Sequence, residues 1–159
     1  MEQSDAMRLL NPTSLNTLRV ISYLNNDGVN ILRVAARIGS LDSPIDNYKA
    51  GGLLCGVDEN GQFGSFGCTN RGDIKEHTFT GVKLSECSVP NFDLVVKMIE
   101  SMHVKIPYFK MVSWDIAINK DDKPVLIEYN TYNQGLDVQI VTGPLFNEFT
   151  DEILKLCKD

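Results

Sequence analysis

Residues 109–130 have the sequence FKMVSWDIAINKDDKPVLIEYN, in which two alternating runs flank a short polar segment. Runs of this kind, rich in β-branched and aromatic residues and separated by an Asn/Asp/Lys cluster, are typical of an antiparallel hairpin. We therefore predict strands at residues 109–118 and 124–130.

Closing the hairpin around Asp121 and Asp122 sets Asp115 directly across from Glu128. Because side chains alternate between the two faces of a strand, each face can be assigned from the sequence. One face is predicted to carry Ser113, Asp115, Ala117, Leu126, Glu128 and Asn130. The other, apolar face is predicted to join the core through Trp114, Ile116, Ile118, Val125, Ile127 and Tyr129.

Directly opposed carboxylates need some form of charge compensation. Their Cβ atoms lie about 4.5 to 5.5 Å apart, and like charges at that distance destabilise a sheet. Three arrangements would relieve the repulsion: a bound hard cation, a protonated carboxyl group, or exposure of the pair to screening solvent. Asn130 adds a neutral oxygen two residues along the same face, and Mg²⁺ binds such oxygens together with phosphates. The residue pattern by itself leaves all three open.

Two further hairpins are indicated upstream. The first joins strands at residues 17–24 and 29–38, and the second joins strands at residues 52–57 and 62–69. Each pair is separated by a short Asn/Asp/Gly cluster, the strongest local signal for a hairpin turn. The chain is therefore predicted to be mostly antiparallel sheet.

Helical periodicity appears in two places. One apolar stripe falls at i, i+3, i+4, i+7 and i+10 and consists of Phe92, Val95, Val96, Ile99 and Met102. A second stripe near the C-terminus consists of Phe146, Phe149, Ile153 and Leu156. Helices packed on an antiparallel sheet place the chain in the α+β class. Its 159 residues are expected to form a single domain.

The charge balance limits the classes of partner. The chain has 15 Lys and Arg against 21 Asp and Glu, which gives a formal net charge of -6. An acidic chain is poorly suited to bind nucleic acid or an anionic membrane. No apolar run approaches the roughly 20 residues that span a bilayer, and no signal-peptide pattern occurs at the N-terminus. We therefore expect a cytoplasmic protein without a membrane span.

The order Asp115, strand, turn, strand, Glu128-x-Asn130 resembles the metal-binding signature of ATP-grasp ligases. Residues 113–146, SWDIAINKDDKPVLIEYNTYNQGLDVQIVTGPLF, are similar to the sugar-transfer-associated ATP-grasp group found with polysaccharide biosynthesis genes. The segments NPTSLNTLRVISYL, SPIDNYKAGG and HTFTGVKL follow the same order as in that group. The resemblance implies an ATP-grasp-like C-terminal core lobe.

The resemblance also implies a chemistry. Members use Mg²⁺ (or Mn²⁺) and ATP to form an acyl-phosphate from a carboxylate substrate, which a nucleophile then attacks. Asp115, Glu128 and Asn130 would hold one or two metal ions that bridge the ATP phosphates. The expected partners are ATP and a small-molecule or sugar-linked carboxylate. The alternatives are a non-catalytic interaction module derived from the fold, or phosphotransfer to a sugar hydroxyl.

Candidate cationic groups lie upstream of the third hairpin. The resemblance implies that Arg33 or Arg37 donates to the transferred phosphoryl group, with Asn47 as a polar contact nearby. Arg33 and Arg37 are four residues apart in a strand and so share one face. The alternative interpretation of each arginine is an exposed strand ion pair.

Three further positions are candidates for cofactor binding. Arg19 joins the face of Arg33 and Arg37 if the connecting loop has three residues with a left-handed Gly28, but not if the turn has two. The sequence leaves this register open. Gly51 and Gly52 mark a backbone position that needs small residues or is closely approached by a ligand.

The chain departs from the family pattern at two points. Many relatives carry an arginine two residues before the metal-binding aspartate, where this chain has Ser113, so the transition-state cation must come from elsewhere. The lysines that grip the α- and β-phosphates and the adenine hinge lie upstream in the family. The chain is therefore expected to be a lobe of a longer enzyme that lacks its N-terminal lobe, with a reduced protein as the alternative.

Overall fold

The computed structural model of the chain describes residues 1–40, 51–132 and 134–156. Seven strands form one sheet in the order β5-β4-β3-β2-β1-β6-β7, and each neighbouring pair is antiparallel. The strands are β1 (Thr17–Asn25), β2 (Gly28–Ile38), β3 (Leu53–Val57), β4 (Phe63–Thr69), β5 (Ile74–Lys75), β6 (Met111–Ile118) and β7 (Pro124–Asn130). All three predicted hairpins are confirmed.

The helices are α1 (Asp5–Leu10), α2 (Phe92–His103), α3 (Gln139–Thr142) and α4 (Thr150–Leu156), with short 3-10 turns at Leu84–Glu86 and Asn147–Phe149. Helix α2 matches its predicted stripe, and the C-terminal stripe is divided between the 3-10 turn and α4. The predicted α+β class is confirmed. Among the described residues, no helix combines the length and apolar character needed to cross a membrane.

Each face of the sheet packs on its own apolar cluster. On one face, α2 buries Phe92, Val95 and Ile99 against strand residues such as Val20, Val34, Trp114 and Ile116. On the other face, the segment after β7 buries Val138, Leu145 and Ile153 against Ile21, Tyr23, Ala35 and Leu54. This second cluster covers only part of the face, and Arg19, Arg37, Asp115 and Glu128 lie on the same face.

A β-bulge in β2 places Arg33 and Arg37 on the same face of the sheet as Arg19. The turn between β1 and β2 has two residues, because Asn25 pairs with Gly28. Further along, Ser22 pairs with Ile31 and Ile21 pairs with Arg33, so Leu32 is an extra residue in β2. The bulge shifts the register by one and sets Arg19 opposite Ala35, on the face of Arg33 and Arg37. The expectation that a two-residue turn excludes Arg19 from this face was therefore wrong.

A second bulge lies between β6 and β7. Asp115 pairs with Glu128 and Ser113 with Asn130, as predicted, but Ile116 pairs with Leu126 and leaves Ile127 as the extra residue. The predicted faces of Val125, Leu126 and Ile127 are wrong as a result, since Val125 pairs with Ala117 rather than lying on the face of Ile116. Leu126 packs against the main core, and Ile127 is 46% exposed.

A buried polar chain crosses the main core beside Trp114. The indole Nε1 of Trp114 donates to Ser22 Oγ at 2.7 Å, and Ser22 Oγ lies 2.8 Å from His103 Nδ1. His103 Nε2 lies 2.8 Å from the carbonyl oxygen of Phe109. Because a carbonyl only accepts, Nε2 carries the proton, and Nδ1 accepts from the Ser22 hydroxyl. All hydrogen-bonding groups of this buried network are satisfied only when the His103 imidazole is neutral.

This arrangement predicts a pH dependence of stability. Burial lowers the pKa of His103 below its usual value of 6.5, and the positive charge of Lys110 lowers it further. As pH falls below 6.5, His103 becomes protonated in the unfolded chain but stays neutral in the folded chain. The free energy of unfolding therefore falls by up to about 1.4 kcal/mol per pH unit. Denaturant melts between pH 7 and 5 should show this slope, and the H103Q variant should lose it.

The matched control is H77Q, which replaces the exposed second histidine. It should keep the slope of the wild-type chain. An equal slope in H103Q and the wild type would contradict the assignment of a neutral, buried His103.

Candidate functional site

A charged cluster lies where β7, β6, β1 and β2 run side by side. Asp115 in the middle of β6 pairs with Glu128 on one side and with Arg19 on the other. Arg37 reaches the same carboxylate from β2. We call Arg19, Asp115 and Arg37 the arginine clamp.

The clamp is closely hydrogen-bonded. Arg19 Nε donates to Asp115 Oδ1, and Arg19 Nη2 donates to Oδ2 at 2.9 Å. Arg37 Nη1 donates to the same Oδ2, also at 2.9 Å. The Asp115 side chain is only 6% exposed, and the Arg19 and Arg37 side chains are 16% and 15% exposed. Two guanidiniums against one carboxylate leave the clamp with a net charge of +1.

The clamp changes the interpretation of the opposed carboxylates. The sequence suggested a cation, a protonated group or solvent screening as the source of compensation. The structure adds a fourth source, because the guanidiniums of Arg19 and Arg37 offset the charge of Asp115 directly. The pairing of Asp115 with Glu128 therefore does not by itself require a bound metal.

Glu128 and Asn130 complete the acidic side of the site. Glu128 is exposed on β7 and Asn130 is half-buried. Asn130 Nδ2 donates to Glu128 Oε1 at 3.2 Å. Two carboxylates and an amide oxygen on one patch are the hard oxygen ligands that Mg²⁺ takes in proteins, so the donor types fit the metal that the family uses. The oxygens of Glu128 are open to solvent, whereas those of Asp115 are held by the clamp.

Ser113 has a positioning role in the structure. Its Oγ donates to Gln134 Oε1 at 2.8 Å, and Gln134 Nε2 donates to the Met111 carbonyl at 2.7 Å. These bonds tie the segment after β7 back onto β6. The cationic groups of the site come instead from Arg19 and Arg37 on the neighbouring strands.

The other predicted arginine binds elsewhere. Arg33 shares the sheet face of the clamp, but its Nη1 donates to the Leu32 carbonyl at 2.7 Å and its Nη2 donates to the Pro144 carbonyl. Its Nε is buried without a partner among the described residues. A cleft of about 660 Å³ lies beside Arg33 and is separate from the clamp residues.

The remaining predicted positions are near the start of β3. Gly51 has a φ of 94°, a left-handed conformation that favours glycine, and a Cβ built there meets open space. Gly52 is buried directly before β3. Asn47 lies outside the described residues. The structure thus brings Arg19, Arg37, Asp115, Glu128 and Asn130 together.

Sequence reasoning missed the pairing of Arg19 with Asp115. Two separate hairpins contribute these residues, and only the pairing of β1 with β6 brings them together. An available signal was charge complementarity, because an arginine in one strand is a favourable cross-strand neighbour for an otherwise repelled aspartate.

The fold and the site together define an ATP-grasp-like α+β domain. A family model described as sugar-transfer associated ATP-grasp matches residues 1–154, and the chain belongs to this family. Membership supports ATP binding and a ligase-like function in a sugar-transfer setting. Searches of curated proteins and of solved structures found no significant match.

The clamp yields a stability prediction. In the variant D115N, the neutral amide no longer pairs with two largely buried guanidiniums. Breaking a buried pair by removing one partner is strongly destabilising, so the free energy of unfolding should fall by about 3 kcal/mol. Chemical denaturation followed by circular dichroism measures this change.

D93N is the matched control. Asp93 pairs with Lys97 on the exposed side of α2, where solvent screens the interaction. Its replacement should leave the unfolding free energy nearly unchanged. Equal stability of D115N and D93N would show that the clamp contributes little to the fold.

Proposed function

We propose that the chain is the metal- and phosphate-binding core of an ATP-dependent carboxylate ligase. A carboxylate oxygen of the substrate attacks the γ-phosphorus of ATP, and the bond from that phosphorus to the β–γ bridging oxygen breaks. The products are an acyl-phosphate and ADP. An amine or another nucleophile then attacks the acyl carbon and displaces phosphate.

The observation that carries the proposal is the patch in which Asp115 faces Glu128, beside Asn130 and backed by Arg19 and Arg37. Phosphoryl transfer needs little covalent help from a protein and depends on positioned charges. The patch supplies oxygen ligands and guanidinium donors within one sheet face. Both kinds of group are required for that reaction.

Each residue has a proposed role. Asp115, Glu128 and Asn130 would hold Mg²⁺ or Mn²⁺, which, when bound, neutralises charge on the nucleotide phosphates. Arg37 would donate to the transferred phosphoryl group.

The other predicted residues have supporting roles. Arg19 would keep Asp115 oriented through its two N–H bonds. Arg33 is kept as the second candidate for the phosphoryl donor. Asn47 is proposed as a polar contact nearby, with Gly51 and Gly52 at a close approach of the backbone to ATP.

The substrate setting follows from the family. Its sugar-transfer association supports a small-molecule or sugar-linked carboxylate as the acceptor, in polysaccharide biosynthesis. Phosphotransfer to a sugar hydroxyl could use the same metal and arginine groups. Product analysis separates the two reactions, since hydroxylamine traps an acyl-phosphate and leaves a sugar phosphate intact.

Titration calorimetry tests the site directly. Mg²⁺ with a non-hydrolysable ATP analogue should bind the wild-type chain, and E128Q should bind it at least tenfold more weakly, which corresponds to about 1.4 kcal/mol. E100Q is the control, because Glu100 is exposed on α2, across the sheet from the site. It should bind like the wild type. Absence of binding by the full-length protein, or equal binding by the wild type and E128Q, would refute the proposal.

One observation favours a second candidate, a non-catalytic interaction module. The clamp satisfies the charge of Asp115 without any metal, so the fold can persist as a scaffold. This candidate and the ligase core make opposite predictions for thermal stability. A ligand that binds only the folded state at 100 times its Kd adds about 2.7 kcal/mol to the free energy of unfolding.

Thermal melts with and without saturating Mg²⁺ and the ATP analogue therefore distinguish the two candidates. The ligase core predicts a clear rise in Tm for the wild type and a smaller rise for E128Q. An unchanged Tm for the wild type would favour the interaction module.

A further inference from the structure

Strand β6 begins before its partner β7 can pair with it. Leu24 N donates to the Lys110 carbonyl at 2.8 Å, so the next residue, Met111, directs its backbone groups away from β1 and toward the side of β7. The register of the hairpin would place Tyr132 opposite Met111. Strand β7 ends at Asn130, however, so the Met111 carbonyl lies beyond the strand that would have bonded it.

The side chain of Gln134 takes this position in the ladder. Gln134 Nε2 donates to the Met111 carbonyl at 2.7 Å, as the backbone N–H of a continuing strand would. Its Oε1 accepts from Ser113 Oγ at 2.8 Å. Ser113 is 0% exposed, so its hydroxyl depends on a partner within the protein. One amide side chain thus satisfies two polar groups of β6 at the point where β7 ends.

These two bonds secure the end of β7. Asn130 is the last residue of β7, and β7 is the outermost strand on this side of the described sheet. The end of an outer strand opens easily, because only one neighbouring strand holds it. Asn130 pairs with Ser113, and Gln134 attaches the following segment to Ser113 and Met111. The chain that leaves Asn130 is therefore tied to the same stretch of β6 with which Asn130 pairs.

We propose that Gln134 is a positioning residue for the metal site and acts through Asn130. The inference rests on the proposed function, in which Asn130 supplies a neutral oxygen ligand. That oxygen lies beside Asp115 and Glu128 only while Asn130 keeps its register opposite Ser113. Gln134 maintains this register without itself being a ligand. Residues that orient metal ligands typically change metal affinity by about 10- to 100-fold when they are replaced.

The first test needs no metal. The variant Q134M keeps the length and most of the bulk of the side chain but removes both hydrogen bonds. The amide of Asn130 faces Ser113 in the ladder, so its hydrogen exchange reports on opening at the end of β7. Exchange at Asn130 should be at least about tenfold faster in Q134M, while amides in β1 stay as protected as in the wild type. An unchanged rate at Asn130 would overturn the proposal.

The second test is a double-mutant cycle on metal affinity. Electron paramagnetic resonance measures Mn²⁺ binding, in the presence of the non-hydrolysable ATP analogue, to the wild type, Q134M, N130A and the double variant. Q134M should bind Mn²⁺ about tenfold more weakly than the wild type. It should cause no further loss once Asn130 has been replaced. An equal loss in both backgrounds would overturn the proposal, because Gln134 would then act independently of Asn130.

Q139M is the matched control. Gln139 lies in the same segment after β7, and its Oε1 accepts from Leu145 N at 2.9 Å, within that segment. Replacing it removes a hydrogen bond of the segment but leaves the bonds to β6 in place. Mn²⁺ affinity and exchange at Asn130 should match the wild type. Effects equal to those of Q134M would overturn the proposal, since they would show a general loosening of the segment.

A second variant covers the case in which Q134M does not fold. Q134M leaves the buried Ser113 hydroxyl without its partner, which destabilises the fold. The variant S113A/Q134M removes that hydroxyl as well and takes the place of Q134M in both tests. It should show the same faster exchange and weaker Mn²⁺ binding, because the bond to the Met111 carbonyl is still missing.

The outcomes separate this proposal from the proposed function. Faster exchange at Asn130 in Q134M, in a full-length protein that does not bind Mn²⁺ with the ATP analogue, would support the positioning of Asn130 and refute the ligase core. Unchanged exchange, or equal Mn²⁺ affinity of Q134M and the wild type, in a protein that does bind them, would overturn the positioning role and leave the ligase core standing.

Discussion

The ion pairs between Asp115 and the guanidiniums of Arg19 and Arg37 join three adjacent strands of the sheet, β2, β1 and β6. An aspartate that is 6% exposed has lost most of its hydration, and such a charge persists only when paired and hydrogen-bonded. The clamp meets that requirement with side chains from β1 and β2. The polar half of this sheet face, with Glu128 and Asn130 beside it, depends on this compensation.

Two β-bulges shape the site, one in β2 beside the clamp and one in β7 beside Glu128. The extra Leu32 in β2 brings Arg19 to the face of Arg37, and the extra Ile127 in β7 returns Leu126 to the core while Glu128 stays opposite Asp115. Without the first bulge, Arg37 would lie on the opposite face of the sheet from Arg19 and Asp115. Bulges that re-aim side chains are frequent next to functional sites, and both bulges here border the clamp.

Much of the fold was predictable because its signals are local. Alternation and turn residues located all three hairpins, a single apolar stripe located α2, and turn closure paired Asp115 with Glu128. The bulges were not predictable in this way. One extra residue moves the following side chains to the other face of the sheet but leaves the composition of the strand almost unchanged. Helix α3 has only four residues and carries too little periodicity to detect. The clamp depends on pairing between separate hairpins, which no local pattern encodes.

A site that compensates its own carboxylate resolves a conflict between folding and function. Carboxylate ligands attract a cation through their negative charge, yet buried negative charge destabilises the protein in which it lies. Supplying guanidiniums from the adjacent strands stabilises the metal-free fold. It also places guanidinium donors on the same sheet face as the proposed metal ligands.

The central proposal is that Asp115, Glu128 and Asn130 bind a divalent metal beside the guanidiniums of Arg19 and Arg37. A crystal structure with Mn²⁺ and a non-hydrolysable ATP analogue tests it most directly, because anomalous scattering locates the metal. The account predicts a peak about 2.1 Å from oxygens of these three residues. A metal located elsewhere in the occupied protein would contradict it.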